Sequence, residues 1–370
     1  DPGNLESNLQ AGAVAGYSLL WVLFWSHAIG LVFQILAARL GIVTRRHLAE
    51  HVRARYSPCI ATILWLTTEV ALISADVQEV IGTAIALQVL FHMPVWLSIT
   101  LTTLNIPMMM LIEWLGRRGS NSGGGKQIEW CFAAAIGLMA ACFFWAMGLS
   151  QPKVSEMLVG WLVPSMPDGA RIQAVGLLGA IIMPHNIYLH SALVQPAKQE
   201  PILPDNASAN YYLAVESGVT LFVSFLINGA ILVTFACAFH QAVSLPDLLA
   251  LTADGQLPGL YEAASVLEHV LGYIGPILWG VGLLAASQTA TMTVTVSGQR
   301  ILDGFWHTRI KAWQRIAGTR MIAAVPTLIV SWYFANRLDD FSEWLNVVQS
   351  ICLPAALIPL LRLTDSKAVM

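Results

Sequence analysis

Long apolar runs, parted by short polar or basic stretches, dominate this chain, and several exceed the ~20 residues that a helix needs to cross a bilayer. Read in order, they predict spans over Ser18–Leu40, Pro58–Phe91, Val95–Leu115, Trp130–Leu149, Ile172–Val194, Tyr211–His240, Gly275–Gln299, Met321–Phe334 and Trp344–Leu361. The run of small residues over 5–17 reads as the outer half of a further helix, the first, broken at its start. Ten spans result, with basic or polar loops between them.

Composition agrees with that pattern. Hydrophobic residues are 56% of the 370 and charged residues 11%, where a soluble domain carries about 25% charged residues. The net charge of −3, with basic residues confined to short loops, excludes nucleic acid as a partner. Cys59, Cys131, Cys142, Cys237 and Cys352 are scattered, with no metal or disulfide spacing. No nucleophile–base pair or HExxH-type motif is present, so an enzyme is not expected.

The loops orient the chain. Basic clusters follow span two (Arg45, Arg46, Arg53, Arg55), span four (Arg117, Arg118) and span eight (Arg300, Arg309, Lys311, Arg315). The stretch 241–273 carries Asp247, Asp254, Glu262 and Glu268 and not one Lys or Arg. The positive-inside rule puts the even-span exits, and the N-terminal side, in the cytoplasm. The sequon at Asn206 then faces the cytoplasm and carries no glycan.

Two interruptions organise the rest. Pro184 falls in the middle of the sixth span and removes a backbone N–H, which leaves the carbonyl around Ala180 without its donor. Unpaired backbone at membrane depth survives only where it faces protein, water or a ligand. Around this break stand Met183, His185, Asn186 and His190. The chain opens on the same frame: DPGN (Asp1–Asn4) parallels MPHN (Met183–Asn186), each a ligand-type residue, Pro, a variable residue and Asn. Matching breaks in two halves mark an inverted-repeat transporter.

These motifs carry a resemblance. DPGN and MPHNIYLHSAL, together with Trp65–Ala86, Gln173–Val194, Gly282–Thr293 and Leu345–Thr364, resemble the Nramp family of proton-coupled divalent-metal transporters, and its eukaryotic branch in particular. The resemblance implies an all-α polytopic membrane protein of the LeuT/APC type, a five-plus-five inverted repeat with helices 1 and 6 broken. It implies one transporter domain over 1–365, with repeats over 1–150 and 171–365. The inner half of helix 1, and any helices 11 and 12, are expected outside this chain. No cofactor is implied. The cargo would be Mn(II) or Fe(II), with Co(II), Cd(II) and Zn(II) as further candidates, moved with protons across a plasma or endolysosomal/vacuolar membrane; oligomeric state is left open.

In the family, the residues matching Asp1, Asn4, Ala180 (by its carbonyl) and Met183 hold the metal. Those donor types make sense as a filter. Calcium and magnesium prefer oxygen, whereas a thioether favours Mn(II), Fe(II) or Cd(II) over them. Span ten adds Asn346 and Gln349, either of which could complete the shell or simply bond a neighbouring helix. Proton coupling needs titratable groups inside the membrane. Glu69, Asp76 and Glu79 share one face of span three, His185 and His190 lie on span six, and Arg320 opens span nine. By resemblance Asp76, Glu79 and Arg320 form the proton route. His27 and His92 read as packing residues. Asn8 stands where most relatives have Asp. Rival readings are a carrier on the same scaffold for Mg(II) or an amino acid, and a non-transporting metal sensor. Met183 argues against the magnesium carrier, and Asp1, which would repel a carboxylate, against the amino-acid carrier.

Overall fold

The computed structural model describes residues 1–103, 124–195, 206–240, 258–306, 312–333, 338–367 and 369–370. The helices are α1 (Pro2–Ala15), α2 (Leu20–Thr44), α3 (Leu48–Arg55), α4 (Pro58–Phe91), α5 (Val95–Thr103), α6 (Gly124–Leu149) and α7 (Val154–Leu162). They continue as α8 (Arg171–Ile182), α9 (Pro184–Leu193), α10 (Asn206–His240), α11 (Leu260–Leu271), α12 (Ile274–Trp306), α13 (Ala312–Tyr333) and α14 (Leu338–Asp365). Among the described residues there is no strand, and seven spans are long and apolar enough to cross a membrane, α8 and α9 together making one of them.

The predicted third span is reproduced as α4, from Pro58 at its first turn, where a missing N–H costs nothing, to Phe91. The other spans are displaced by a few residues, and the latter part of the predicted fourth, with Arg117 and Arg118, lies outside the described residues. Three helices stand where the hydrophobic pattern predicts loops. In α3 the Glu50 carboxylate accepts from His47 N at 2.9 Å, and in α11 Glu262 accepts from Gly259 N at 2.9 Å. A Glu three residues after the cap was the sequence signal for both. For α7 the signal was weaker, and only Glu156 in its first turn hints at it.

The molecule is turned inside out relative to a soluble protein. Trp25, Val32, Ile63, Trp145, Phe222 and Trp332 are exposed on the outside, while Glu6, Asp76, Gln78, Glu79, Asn346 and Gln349 are buried. Because lipid is as apolar as leucine, helix association here rests on close packing and polar contacts. The long helices α4 and α12 pack together, α1 lies on α10, and α14 lies across both α4 and α8. Gly179 of α8 is pressed against the Asn346 backbone of α14, and Gly82 of α4 against the Pro2 ring, so neither site has room for a β-carbon. These approaches seat the end of α8 against α14 and the start of α1 against α4.

Candidate metal centre

At the second interruption α8 ends at Ile182 and α9 begins at Pro184, with Met183 capping both. Met183 has φ 47°, a value that costs a residue with a side chain about 1–3 kcal/mol and persists only where its surroundings enforce it. Met183 N donates to Gly179 O at 3.2 Å and Asn186 N to Met183 O at 3.1 Å, so hydrogen bonding resumes on either side. At the start of α1 Asp1 is the cap: its Oδ1 accepts from Gly3 N at 3.1 Å, and its Oδ2 is buried with no partner.

The start of α1 and the break at Met183 meet in a cavity of about 310 Å³. Asp1, Asn4, Ala180 and Met183 all line it, and so do Glu79 and His185. The set is one carboxylate, one amide, one backbone carbonyl and one thioether. Among the described residues no group of three His, Cys, Asp or Glu is placed to hold a metal. A soft sulfur among oxygen donors suits a transition-metal ion better than calcium or magnesium.

The family model for natural resistance-associated macrophage protein-like chains (Nramp) matches residues 1–370. The chain belongs to the Nramp family. Among its relatives, metal transporter Nramp2 of Populus trichocarpa is 45% identical, aligning with 100% of this chain and 67% of its own length. Metal transporter Nramp4 of Arabidopsis thaliana is 43% identical, over 100% and 70%. The structure of a manganese transporter from Eremococcus coleocola, solved with an aromatic bis-isothiourea compound, superposes with a TM-score of 0.79 at 30% identity, over 100% of this chain and 77% of that one. The fold is therefore the LeuT type of the Nramp transporters, which are not enzymes, and the chain is an integral membrane protein.

Within this Nramp chain, the other predicted residues sit around the cavity rather than on it. Asp76, Glu69, His190, Asn346 and Gln349 are not among its lining residues. Asp76 and Glu79 are both buried on α4. Glu69, two turns nearer the start of that helix, accepts from Trp65 Nε1 at 3.1 Å. His185 is buried with Nδ1 unpartnered; His190 is half-buried with Nε2 unpartnered. Arg320 belongs to α13, and its side chain lies outside the described residues. Asn346 turns its amide to the α1 interruption: Nδ2 donates to Gly3 O at 2.9 Å and to Glu343 Oε2 at 3.1 Å.

Four features of the site have roles that the sequence did not assign. Asn186 lines the cavity and donates Nδ2 to Met183 Sδ at 3.1 Å. Its position in MPHN, equivalent to Asn4 in DPGN, was the available signal. Thr289 and Thr293 of α12 line the opposite wall, at a spacing that a helical-face argument could have found. Asn8 donates to Asn4 O at 2.7 Å and to Asn4 Oδ1 at 2.8 Å, a role an ionised Asp could not fill. His27 is tied to the site through Asn228, which bonds both His27 Nε2 (3.3 Å) and the Asn4 amide (3.4 Å). Nothing local announces such a tie across two helices.

Proposed function

We propose that this chain is a proton-coupled carrier of divalent transition-metal ions, Mn(II) and Fe(II) foremost, working by alternating access around the two helix interruptions. The observation that carries the reading is the single cavity in which Asp1, Asn4, the Ala180 carbonyl and Met183 converge from the two interruptions. The oxygen donors hold the ion, and the sulfur makes the site poorer for calcium and magnesium. Glu79 and His185 on the same cavity, with Asp76 also buried on α4, supply the carboxylates and imidazole that carry a proton in the same direction as the metal. The repeats run over 1–150 and 171–365, and movement of a bundle around spans one and six exposes the cavity to either side in turn. The basic loops after the even spans put the N-terminal side in the cytoplasm.

The names of the relatives and of the Eremococcus manganese transporter support the cargo class. The test is uptake of Mn(II) and Fe(II) by proteoliposomes holding the full chain, with a pH dye inside. Metal uptake that acidifies the lumen and accelerates with an inward proton gradient is the expected result. Uptake with no proton movement overturns the coupling, and no uptake of either ion overturns the function.

A further inference from the structure

Gln78 is 1% exposed, lies on α4 between Asp76 and Glu79, and does not line the cavity. Its amide is committed at both ends. Nε2 donates to Asn346 Oδ1 at 2.8 Å and to Ser342 O at 2.9 Å, and Oε1 accepts from Gln349 Nε2 at 2.7 Å. It therefore grips the two polar side chains that α14 presents toward the site. The grip extends to α1, since Asn346 Nδ2 donates to Gly3 O. Gly3 lacks a side chain where one would collide with this amide: a β-carbon there would stand 2.6 Å from Gln78 Cδ.

Asn346 is where the two interruptions meet α14. Its amide touches Gly3, next to Asn4, and its backbone carbonyl lies against Gly179, next to Ala180. Its side chain is thus bonded next to one proposed ligand and its backbone is seated next to another, while its Oδ1 is held by Gln78. Asn346 does not line the cavity, so for its Oδ1 to reach an ion there the side chain must turn and give up the buried bond to Gln78.

We propose that Gln78 is a positioning residue of the transport cycle, one that withholds the Asn346 oxygen from the metal and so sets how tightly the cargo is held. The inference rests on the metal-carrier reading above. Two arrangements compete: Asn346 Oδ1 on Gln78, with α1, α4 and α14 tied together, or Asn346 Oδ1 on the metal with the tie broken. A cation that gains from the second arrangement shifts the population toward it. The tie therefore weakens binding and hastens release, which a carrier needs on every turnover.

The sign of the mutational effect separates this role from simple packing. Gln78→Met keeps the length and removes the bonds; Gln78→Ala is the second variant should the first not fold. Mn(II) binding to the solubilised full chain and Mn(II) uptake into proteoliposomes are measured for wild type, for these variants, and for each combined with Asn346→Ala. Loss of the competing bond should tighten Mn(II) binding and lower KM by about three- to tenfold, with Vmax falling by a similar factor. In the Asn346→Ala background the change in KM should vanish. A raised or unchanged KM in a folded variant overturns the inference, as does a fall that persists without Asn346. A wild type that binds and carries Mn(II) while Gln78→Met behaves identically sinks this inference alone; a wild type inert to the metal removes the functional reading and this one with it.

Discussion

The side-chain amide of Asn186 donates to the thioether of Met183 at 3.1 Å, so the sulfur faces the cavity with a polar neighbour already attached. That contact fixes where the soft donor stands and frames the first prediction. Met183→Ala should leave Mn(II) transport present but weakened, because water and oxygen donors can occupy the vacated position. Cd(II) transport should lose more. Calcium and magnesium should begin to compete, with discrimination falling by about 1–3 kcal/mol, the scale of leaving a site group unmatched. Mn(II) uptake against millimolar Ca(II) or Mg(II) measures it, and a mutant that excludes calcium as well as the parent refutes the sulfur-filter argument.

Asp1 contributes the charged donor among the four proposed ligands, and its Oδ2 is buried without a partner. Asp1→Ala should abolish uptake while leaving the protein folded, since the bond lost from Oδ1 only caps α1. Retention of uptake within a few-fold of the parent would remove Asp1 from the ligand set.

His190 is half-buried at the far end of α9, away from the cavity lining. His190→Ala should therefore change the pH profile of uptake and leave the Mn(II) KM within about twofold, a difference of about 0.4 kcal/mol at most. An unaltered pH profile would return His190 to the packing residues.

Gly179 offers a test of packing alone. A β-carbon there would overlap Asn346 O and stand 2.8 Å from Ser350 N. Alanine gains up to about 1 kcal/mol in helix propensity over glycine, whereas overpacking costs about 1–3 kcal/mol. The second effect wins, so Gly179→Ala should lower the thermal midpoint in detergent and slow transport. An unchanged midpoint would show that α8 and α14 are less closely seated than described.

A pH effect on stability is predicted outside the membrane spans. His51 on α3 is buried, its Nε2 lies 2.7 Å from Thr44 Oγ1, and burial, aided by Arg46 and Arg55, pushes it down to about 4. The hydroxyl of Thr44 already donates to a carbonyl, so the imidazole is neutral with Nε2–H as donor. In the unfolded chain His51 takes a proton near pH 6.5, in the folded one only near 4, so folding releases that proton between them. Stability is full above about pH 6.5 and falls as pH drops toward 4. Thermal melts from pH 7 to 4.5 should show the loss, and His51→Gln should flatten it; a parallel slope in the mutant would acquit His51. Leu48 N donates to Ser191 Oγ at 3.0 Å, so loosening α3 would also free the end of α9.

Much of this protein is determined by local covalent chemistry, which any stretch of sequence carries with it. An apolar run of sufficient length becomes a spanning helix, and α4 keeps its predicted bounds from Pro58 to Phe91. A proline removes a backbone donor wherever it stands, yet Pro354 and Pro359 lie inside α14 without ending it; what made the break at Met183–Pro184 legible was the cluster of ligand-type residues around Pro184 and the matching frame in DPGN. Tertiary structure decided which donors face one another. Asn346 reaches Gly3 across 343 residues of chain, and Gln78 holds Gln349 across 271; no periodicity encodes either distance. Asn346 and Gln349 stood out from their positions on a helix, but which groups their amides bond, Gly3 and Gln78, follows from the packing of α14 on α8 and α4. A hydrogen bond needs its partners within about 3.2 Å and aligned, and only the assembled bundle supplies that geometry.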